Sequence, residues 1–337
     1  MIPLKFKSNN FDNSDSNVFS FISNDKNKIF DISAKEAKQF ITSLDTKNWQ
    51  EVAFEMYYES NRWLYEIITN ANRSDFLFLL DIKKDDMALD VGSGWGQITI
   101  PLSKFCNVVS LEKNLEKIEI IKKIAEQENC NNIQYVAANF SDDLFEPNQF
   151  DLIILNGVFE WLGEFSTGEN PLEIQKNALN KIFELLKPGG TLYIGIENKF
   201  GLKYLLGEVD DHTGLEDFVY LDHDLQSSIY KEIKQKKLRV FTHSKTDYQT
   251  MLEDTGFNSV KFFGDLPDYK QINTLIDLSS DYPTSFHKRN FEFIPEFNGF
   301  NGGLSKYNEK IRYIYNTLSS NELKNLYPSF SIIARKN

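Results

Sequence analysis

The chain has 337 residues, with 37 Lys and Arg against 49 Asp and Glu, a formal net charge of −12. That length suggests roughly two domains, or one large domain with insertions, and it suffices for a full core. The acidic balance argues against a protein whose main task is gripping nucleic-acid phosphates. Only Cys106 and Cys130 are present, which excludes a disulfide framework and a Cys-rich zinc site. The first residues lack the apolar core of a signal peptide, and the longest apolar run, Phe76–Leu80, is far too short to span a membrane. A cytoplasmic location without a membrane span is the expectation.

Residues 1–34 are polar and punctuated by Phe, and read as an irregular arm that docks through those rings. From Ala34 to about Leu80, Trp49, Val52, Met56, Trp63, Leu64, Ile67 and Ile68 recur at helical spacing. These residues suit a helical cap whose aromatics either pack on a core or line a pocket. Strands and helices then alternate. Strands are expected at Met87–Val91, Asn107–Leu111, Ile133–Val136, Phe150–Leu155 and Thr191–Ile196. Helices are expected at Gln97–Phe105, Leu115–Glu128 and Leu172–Leu186, the last stopped by Lys187-Pro188-Gly189-Gly190. Such βαβα order implies a doubly wound, mostly parallel α/β sheet. Beyond it, residues 198–244 are polar and hold three of the four histidines. A helix follows at Lys245–Thr255 and a strand at Ser259–Phe263. Ser329–Ala334 reads as a last strand. If it pairs with Ser259–Phe263, residues 265–327 are an insertion.

Asp90-Val91-Gly92-Ser93-Gly94-Trp95-Gly96 joins the first strand of this alternation to a helix, the context of a nucleotide-type cofactor loop. Glycines permit a tight turn and close approach of a ligand to the backbone. The third glycine comes one residue too early for a dinucleotide fingerprint, with Gln97 in its place, which disfavours a nicotinamide-dependent oxidoreductase. Glu112 ends the second strand, where a carboxylate suits two vicinal ribose hydroxyls.

Four pieces, ALDVGSGWG (88–96), SLEKN (110–114), FDLIILNGVFEW (150–161) and LLKPGGTLYIGIEN (185–198), resemble in order and spacing the class I S-adenosylmethionine-dependent methyltransferases. The resemblance covers about residues 85–200. It implies a Rossmann-like, seven-stranded sheet over 85–264 plus 328–337, with residues 1–84 as an N-terminal cap and 198–244 and 265–327 as substrate-side insertions. It also implies S-adenosyl-L-methionine as cofactor and S-adenosyl-L-homocysteine as product. Gly92, Ser93, Gly94 and Gly96 would wrap the methionine part, Asp90 would orient the loop and reach the amino group, and Glu112 would hold the ribose. Asn139 and Phe140 would meet the adenine, with Asp142 as a rival. Asn156 and Gly157 would lie along the methionine moiety.

Sites in open α/β sheets lie beyond the carboxyl ends of the strands, and the segment from Glu197 to Gly214 emerges at such an end. Glu197, Asn198, Lys203 and Tyr204 are its candidate acceptor contacts. His212, beside Asp210 and Asp211, is a candidate general base oriented by a carboxylate, with Asp211 as its candidate catalytic partner. A loop or lid role for His212 stays open. ENKFGLKYLLGEVDDHTG (197–214), with THSKTDYQTMLEDTGF and LPDYK, is similar to bacterial methyltransferases associated with glycosyltransferases of surface-polysaccharide assembly, although Lys199 stands where Arg is expected. That similarity implies a small-molecule or glycan acceptor, O-methylation of a sugar hydroxyl, and glycosyltransferases as possible partners. Other acceptors (a quinone, a secondary metabolite, a protein side chain, RNA) and a non-catalytic cofactor-binding role are the alternatives. His223, within Asp222-His223-Asp224, reads as a solvated loop residue, and His243 and His287 are isolated. No spacing matches a metal site, so metal-independent chemistry is expected.

Overall fold

A computed structural model of the chain describes residues 3–7, 12–15, 17–21, 31–164, 170–283, 285–286 and 308–337. The chain divides into two compact units, residues 1–155 with 184–191, and residues 156–183 with 192–337.

In the first unit, the strands β1 (Asp12–Asp15), β2 (Val18–Ser20), β3 (Met87–Val91), β4 (Asn107–Glu112), β5 (Ile133–Ala137) and β6 (Phe150–Asn156) stand in the order β1-β2-β5-β4-β3-β6. The pairs β2–β5, β5–β4, β4–β3 and β3–β6 are parallel, and only β1 runs against its neighbour β2. Every residue of β3 and β5 is buried. Such strands must read as apolar runs, which is why their positions were visible in the sequence.

Three helices, α1 (Ala34–Ser43), α2 (Trp49–Tyr57) and α3 (Arg62–Thr69), fill the N-terminal region, followed by a 3-10 turn over Ala71–Leu79. Ser33 and Glu36 form a reciprocal capping box that starts α1. Phe40, Tyr57, Leu64 and Ile68 from these helices pack in one cluster with Trp95 of the glycine loop and with Ile120 and Ile124 of α5 (Leu115–Gln127). Trp95 stands edge-on to Phe40, with ring centroids 5.3 Å apart. The cap is therefore anchored on the glycine loop itself. The arm docks through its rings as expected, with Phe6 against Phe19, Phe21 and Phe145. It is more regular than expected, because β1 and β2 extend the sheet.

The helix expected at Gln97–Phe105 shrinks to α4 (Thr99–Leu102), since Trp95, Gly96 and Gln97 are spent in turns. In the second unit α6 (Pro171–Leu185) reaches into residues 156–183, and β7 (Leu186–Glu197) supplies residues 192–197. There the strand order is β7-β10-β8-β9, with β8 (Ser259–Asp268), β9 (Gln271–Asp277) and β10 (Ser329–Arg335). β10 pairs antiparallel with β8 from Ser329↔Asp265 to Arg335↔Ser259, the pairing anticipated for the last strand. One expectation is corrected: ten strands are present among the described residues rather than seven, and the first part of the expected insertion, residues 265–277, holds the end of β8 and its antiparallel partner β9. The polar stretch 198–244 contains α7 (Leu202–Leu205) and α8 (His223–Lys234). α9 (Lys245–Thr255) stops at Gly256, whose φ of 110° ends the helix in the left-handed region. Of the insertion's remainder, α10 (Asn308–Thr317) and α11 (Ser320–Leu323) are described, while residues 287–307, His287 included, lie outside the described residues.

Phe40 is fully buried. Phe40→Ala should cost about 3–5 kcal/mol of unfolding free energy, measured by denaturant titration. A loss under about 1 kcal/mol would show that the cap does not unfold with the sheet.

Candidate active site

The first unit presents the glycine loop at the end of β3. Gly92, Gly94 and Gly96 have φ of 67°, 57° and 84°, a region that disfavours side chains. Added bulk at Gly96 would also press on Ile121 and Ile100, at 3.2 and 3.3 Å. The loop is tied to β4. The amides of Gly92 and Ser93 both donate to Leu111 O (2.8 and 3.1 Å), and Ser93 Oγ meets Ser110 Oγ at 2.7 Å. Glu112 accepts from the Gly94 amide through Oε2 and from the Asn114 amide through Oε1, both at 3.1 Å. Its carboxylate is thus held beside the second glycine of the loop. Asp90 is buried, and Thr99 Oγ1 donates to its Oδ2 at 2.5 Å. Burial pushes its pKa up to about 7 against that hydrogen bond. Trp95 donates through its indole nitrogen to Asp31, which is also paired with Lys117. After β5, Asn139 and Phe140 are half-buried. The rival Asp142 accepts the Asn139 backbone amide at 3.2 Å, so its carboxylate serves the local turn.

The second unit assembles a cluster of ionisable groups from four segments. Glu197 ends β7, His212 lies in the following loop, Glu160 sits in a 3-10 turn just after β6, and Lys270 occupies the turn between β8 and β9. His212 Nε2 lies 3.8 Å from Glu160 Oε1 and 3.8 Å from Glu197 Oε2, and its Nδ1 lies 3.3 Å from Asp210 Oδ1. Asp210 is fixed in turn by the hydroxyl and amide of Thr213, at 2.6 and 3.0 Å. Glu197 Oε1 accepts from Lys270 Nζ at 2.5 Å and from the Tyr269 hydroxyl at 3.1 Å. Glu160 is 1% exposed, and neither of its oxygens, nor Glu197 Oε2, has a hydrogen-bond partner. The Trp161 ring stands edge-on to His212, with centroids 5.2 Å apart.

The charges follow from these partners. Burial alone would lower the His212 pKa, but Glu197, Asp210 and Glu160 outweigh it and raise it to about 10. Burial and the like charge of Glu197 push Glu160 up, against the opposing pull of His212. Burial would push Glu197 up as well, yet Lys270 and His212 bring it below its ordinary value. Glu160, Glu197 and His212 each offer one ligand atom, all within 4.8 Å of one another, so together they could hold a metal ion.

Several expectations about individual residues change here. Asp211 does not orient His212. Its Oδ2 accepts from Lys203 at 2.8 Å and Lys270 at 2.9 Å, and the carboxylate that holds the imidazole is Asp210. Asn198 is a clamp rather than an acceptor contact. Its amide nitrogen donates to Asn325 O and Tyr327 O (2.7 and 2.8 Å), and its oxygen accepts the Phe200 amide. Lys203 is buried on Asp211, and the Tyr204 hydroxyl is buried without a partner. The Asn156 amide is likewise buried and unpartnered, and Gly195 leaves room for it, since a Cβ there would lie 2.0 Å from Asn156 Oδ1. Gly157, at φ 70°, lies under Tyr269, whose hydroxyl would be 2.6 Å from an added Cβ. His223 is not a loop residue. It opens α8 and packs edge-on to Phe241 and His243, while His243 Nε2 meets Gln175 Oε1 at 2.7 Å. Sequence reasoning missed Glu160 and Lys270. Glu160 carried one signal, its place four residues beyond the end of a buried strand, in NGVFEW.

Residues 82–256, more than half of the chain, match the family described as "Methyltransferase domain". The chain belongs to that family and is a class I S-adenosylmethionine-dependent methyltransferase in its fold and cofactor domain. Among curated relatives, it is 37% identical over 115 residues to a ubiquinone/menaquinone biosynthesis C-methyltransferase of Wigglesworthia glossinidia brevipalpis, covering 33% of this chain and 42% of that protein. It is 33% identical over 125 residues to the mitochondrial ubiquinone biosynthesis O-methyltransferase of Rattus norvegicus, covering 36% and 33%. The chain thus spans less than half the length of these relatives. A solved structure, phosphoethanolamine N-methyltransferase 2 of Haemonchus contortus with S-adenosyl-L-methionine, matches with a TM-score of 0.45 at 17% identity, over 88% of this chain and 60% of that one. No helix among the described residues is long and apolar enough to cross a membrane.

A His with a raised folded-state pKa stabilises the fold fully below its unfolded value near 6.5, and the contribution is lost as pH rises through about 10. The unfolding free-energy difference between the wild-type chain and His212→Gln should therefore shrink steadily from pH 6.5 to pH 10. A constant difference across that window would mean that His212 carries no proton between the carboxylates.

Proposed function

We propose that the chain transfers the methyl group of S-adenosylmethionine to a hydroxyl oxygen of a small polyhydroxylated acceptor, a sugar or glycan precursor of polysaccharide assembly. The observation that carries this reading is the buried cluster of Glu160, Glu197 and His212 with three carboxylate oxygens left without hydrogen bonds. Carboxylates only accept, so the occupant must bring donors. Vicinal hydroxyls do so, and the Trp161 ring beside His212 offers the apolar surface that a sugar face needs. The quinone-pathway relatives match over 115 and 125 residues, less than half of their own length, so the acceptor is argued from the cluster and not from their names.

In the reaction the acceptor oxygen attacks the methyl carbon. The new O–C bond forms as the S–C bond breaks with its electron pair going to sulfur, the hydroxyl proton passes to a carboxylate of the cluster, and S-adenosylhomocysteine remains. The cofactor's sulfonium supplies the reactivity, and the chain supplies alignment and exclusion of water. Gly92, Ser93, Gly94 and Gly96 are assigned to the methionine part with Asp90 behind them, Glu112 to the ribose hydroxyls, Asn139 and Phe140 to the adenine, and Asn156 with Gly157 to the methionine moiety. His212 is placed in the reacting cluster through Nε2, because Asp210 occupies Nδ1. Asp211 is assigned to holding Lys203 and Lys270. Glycosyltransferases of the same pathway are the proposed suppliers or consumers of the acceptor.

Labelled S-adenosylmethionine, incubated with a panel of nucleotide sugars and quinol precursors, should label a sugar. Labelling of quinol precursors alone would replace this reading with the quinone one. His212 keeps its proton up to about pH 10, so it is no general base at neutral pH. His212→Ala, which removes the charge between Glu160 and Glu197, should lower turnover while the affinity for S-adenosylhomocysteine stays nearly intact, and unchanged turnover would remove His212 from the site. Gly96→Ala should do the reverse. The strain of its φ of 84°, of order 1–3 kcal/mol, should weaken S-adenosylhomocysteine binding about tenfold, read as a smaller ligand-induced rise in melting temperature.

A further inference from the structure

We propose that Asp31 is a positioning residue for the cofactor: from just ahead of α1 it holds Trp95 and Lys117 together, so that docking of the cap and binding of S-adenosylmethionine favour each other. This rests on the assignment of the glycine loop and Glu112 to the cofactor, and it is independent of the acceptor.

Three observations carry it. The first is the junction itself. One oxygen of Asp31, Oδ2, accepts the Trp95 indole N–H at 3.0 Å and pairs with the Lys117 ammonium. Trp95 stands between Gly94 and Gly96 and is 3% exposed. Lys117 Nζ also lies 5.2 Å from the centre of its ring, within reach of a cation–π contact. The second is where the two partners lead. Gly94, next to Trp95, donates its amide to Glu112 Oε2, and Glu112 Oε1 accepts the Asn114 amide. Asn114 Oδ1 then caps α5 by accepting the Lys117 amide at 3.1 Å. The loop, the proposed ribose carboxylate and the start of α5 thus form a circuit, and Asp31 closes it from the N-terminal region. The third is cost. Lys117 lies in the first turn of a 13-residue helix, where the helix dipole disfavours a cation, and it is buried as well. Stability alone explains such a pair poorly, since well-packed apolar side chains do as well or better in its place. What the pair does fix is geometry, the placement of the loop and of α5 against the start of α1.

The Asp31 side chain is 27% exposed and that of Lys117 8%. Asp31 can therefore leave for water, and Lys117 is then left buried without its counter-charge. The next residue, Ile32, packs in the cluster of Phe40 and Trp95, and Ser33 caps α1. Seating of Asp31 thus goes with seating of the cap. Where docking of the cap orders the loop for the cofactor, linkage requires the cofactor to stabilise the docked cap by the same factor.

The test uses the full chain and two readouts, S-adenosylhomocysteine affinity by calorimetry and hydrogen exchange of the α1 and α2 amides with and without that ligand. Asp31→Asn keeps an acceptor for the indole and removes the charge facing Lys117. It should weaken S-adenosylhomocysteine about tenfold, within the usual range of such couplings. Lys117→Met should do likewise, and the double variant should bind no more weakly than the worse single one, because both act through one contact. In the wild-type chain the ligand should slow exchange in α1 and α2, and Asp31→Asn should lose that added protection. Asp31→Glu, which keeps the charge, should recover most of both effects. Glu55→Gln, which breaks the exposed Lys47–Glu55 pair of the cap, should change neither. Should Asp31→Asn fail to fold, Lys117→Met carries the same two readouts. A purely structural pair would lower the melting temperature of Asp31→Asn while leaving its ligand affinity within about twofold and the ligand-induced protection intact, and that result would overturn the proposal. Gly96→Ala, measured alongside, reports on the loop assignment separately. Unchanged affinity there would sink that assignment, whereas weakened binding by Gly96→Ala with none by Asp31→Asn or Lys117→Met would overturn the coupling alone.

Discussion

A carboxylate at Glu197 is fully buried at the end of β7, and the second unit is organised around keeping it charged. Ionised groups in low dielectric survive only with partners of opposite charge and good hydrogen bonds. Lys270 and Tyr269 supply these on one oxygen, which fixes where the β8–β9 turn must lie. Asp211 then balances the excess cation by sharing Lys270 with Lys203. Because Asp211 is consumed in this way, the neighbouring Asp210 is free to face His212. Two adjacent aspartates thus have different tasks, set by which lysine or imidazole each can reach.

The same charge explains why Gly157 is a glycine. Tyr269 must stand over it to reach Glu197, and no side chain fits beneath that hydroxyl. In the first unit an analogous constraint acts through the backbone. The glycine loop turns through three left-handed residues because its amides must reach Leu111 O and the Glu112 carboxylate on β4. Trp95, between two of those glycines, points its ring into the cap cluster with Phe40 and Tyr57. The cap helices and the loop are therefore stabilised together, a coupling of packing to the backbone of the proposed cofactor loop.

Legibility in the sequence followed burial and locality. β3 and β5 were readable because every position is buried, and the loop because its glycines, Asp90 and Glu112 fall within one strand–turn–strand unit. α8 was not readable, since its register is set by one buried polar residue, Gln226, bonding to Phe218 O and Val219 O. β1 and β2 were hidden by an Asn/Ser/Asp-rich arm with little apolar alternation. β9 is an edge strand whose burial alternates irregularly, within a stretch of mixed aromatic and polar residues. The candidate site divided in the same way. His212 and Glu197 stood out in a short segment after a strand, whereas Glu160 and Lys270 join them only through the fold.

The division between legible and hidden residues bears on specificity. The cofactor contacts proposed for the first unit come from the ends of β3, β4 and β5, neighbours in the sheet. The proposed acceptor cluster draws on the turn after β6, the end of β7, the following loop and the β8–β9 turn. Each is a connection whose length and composition change at little cost to the sheet. The charge balance among Glu160, Glu197, Asp210, Asp211, His212, Lys203 and Lys270 ties them to one another. Neutralising one of these groups leaves a neighbour buried without its partner. The cluster must therefore change as a set, and if it receives the acceptor as proposed, acceptor choice is altered by coordinated substitutions across four segments rather than by one.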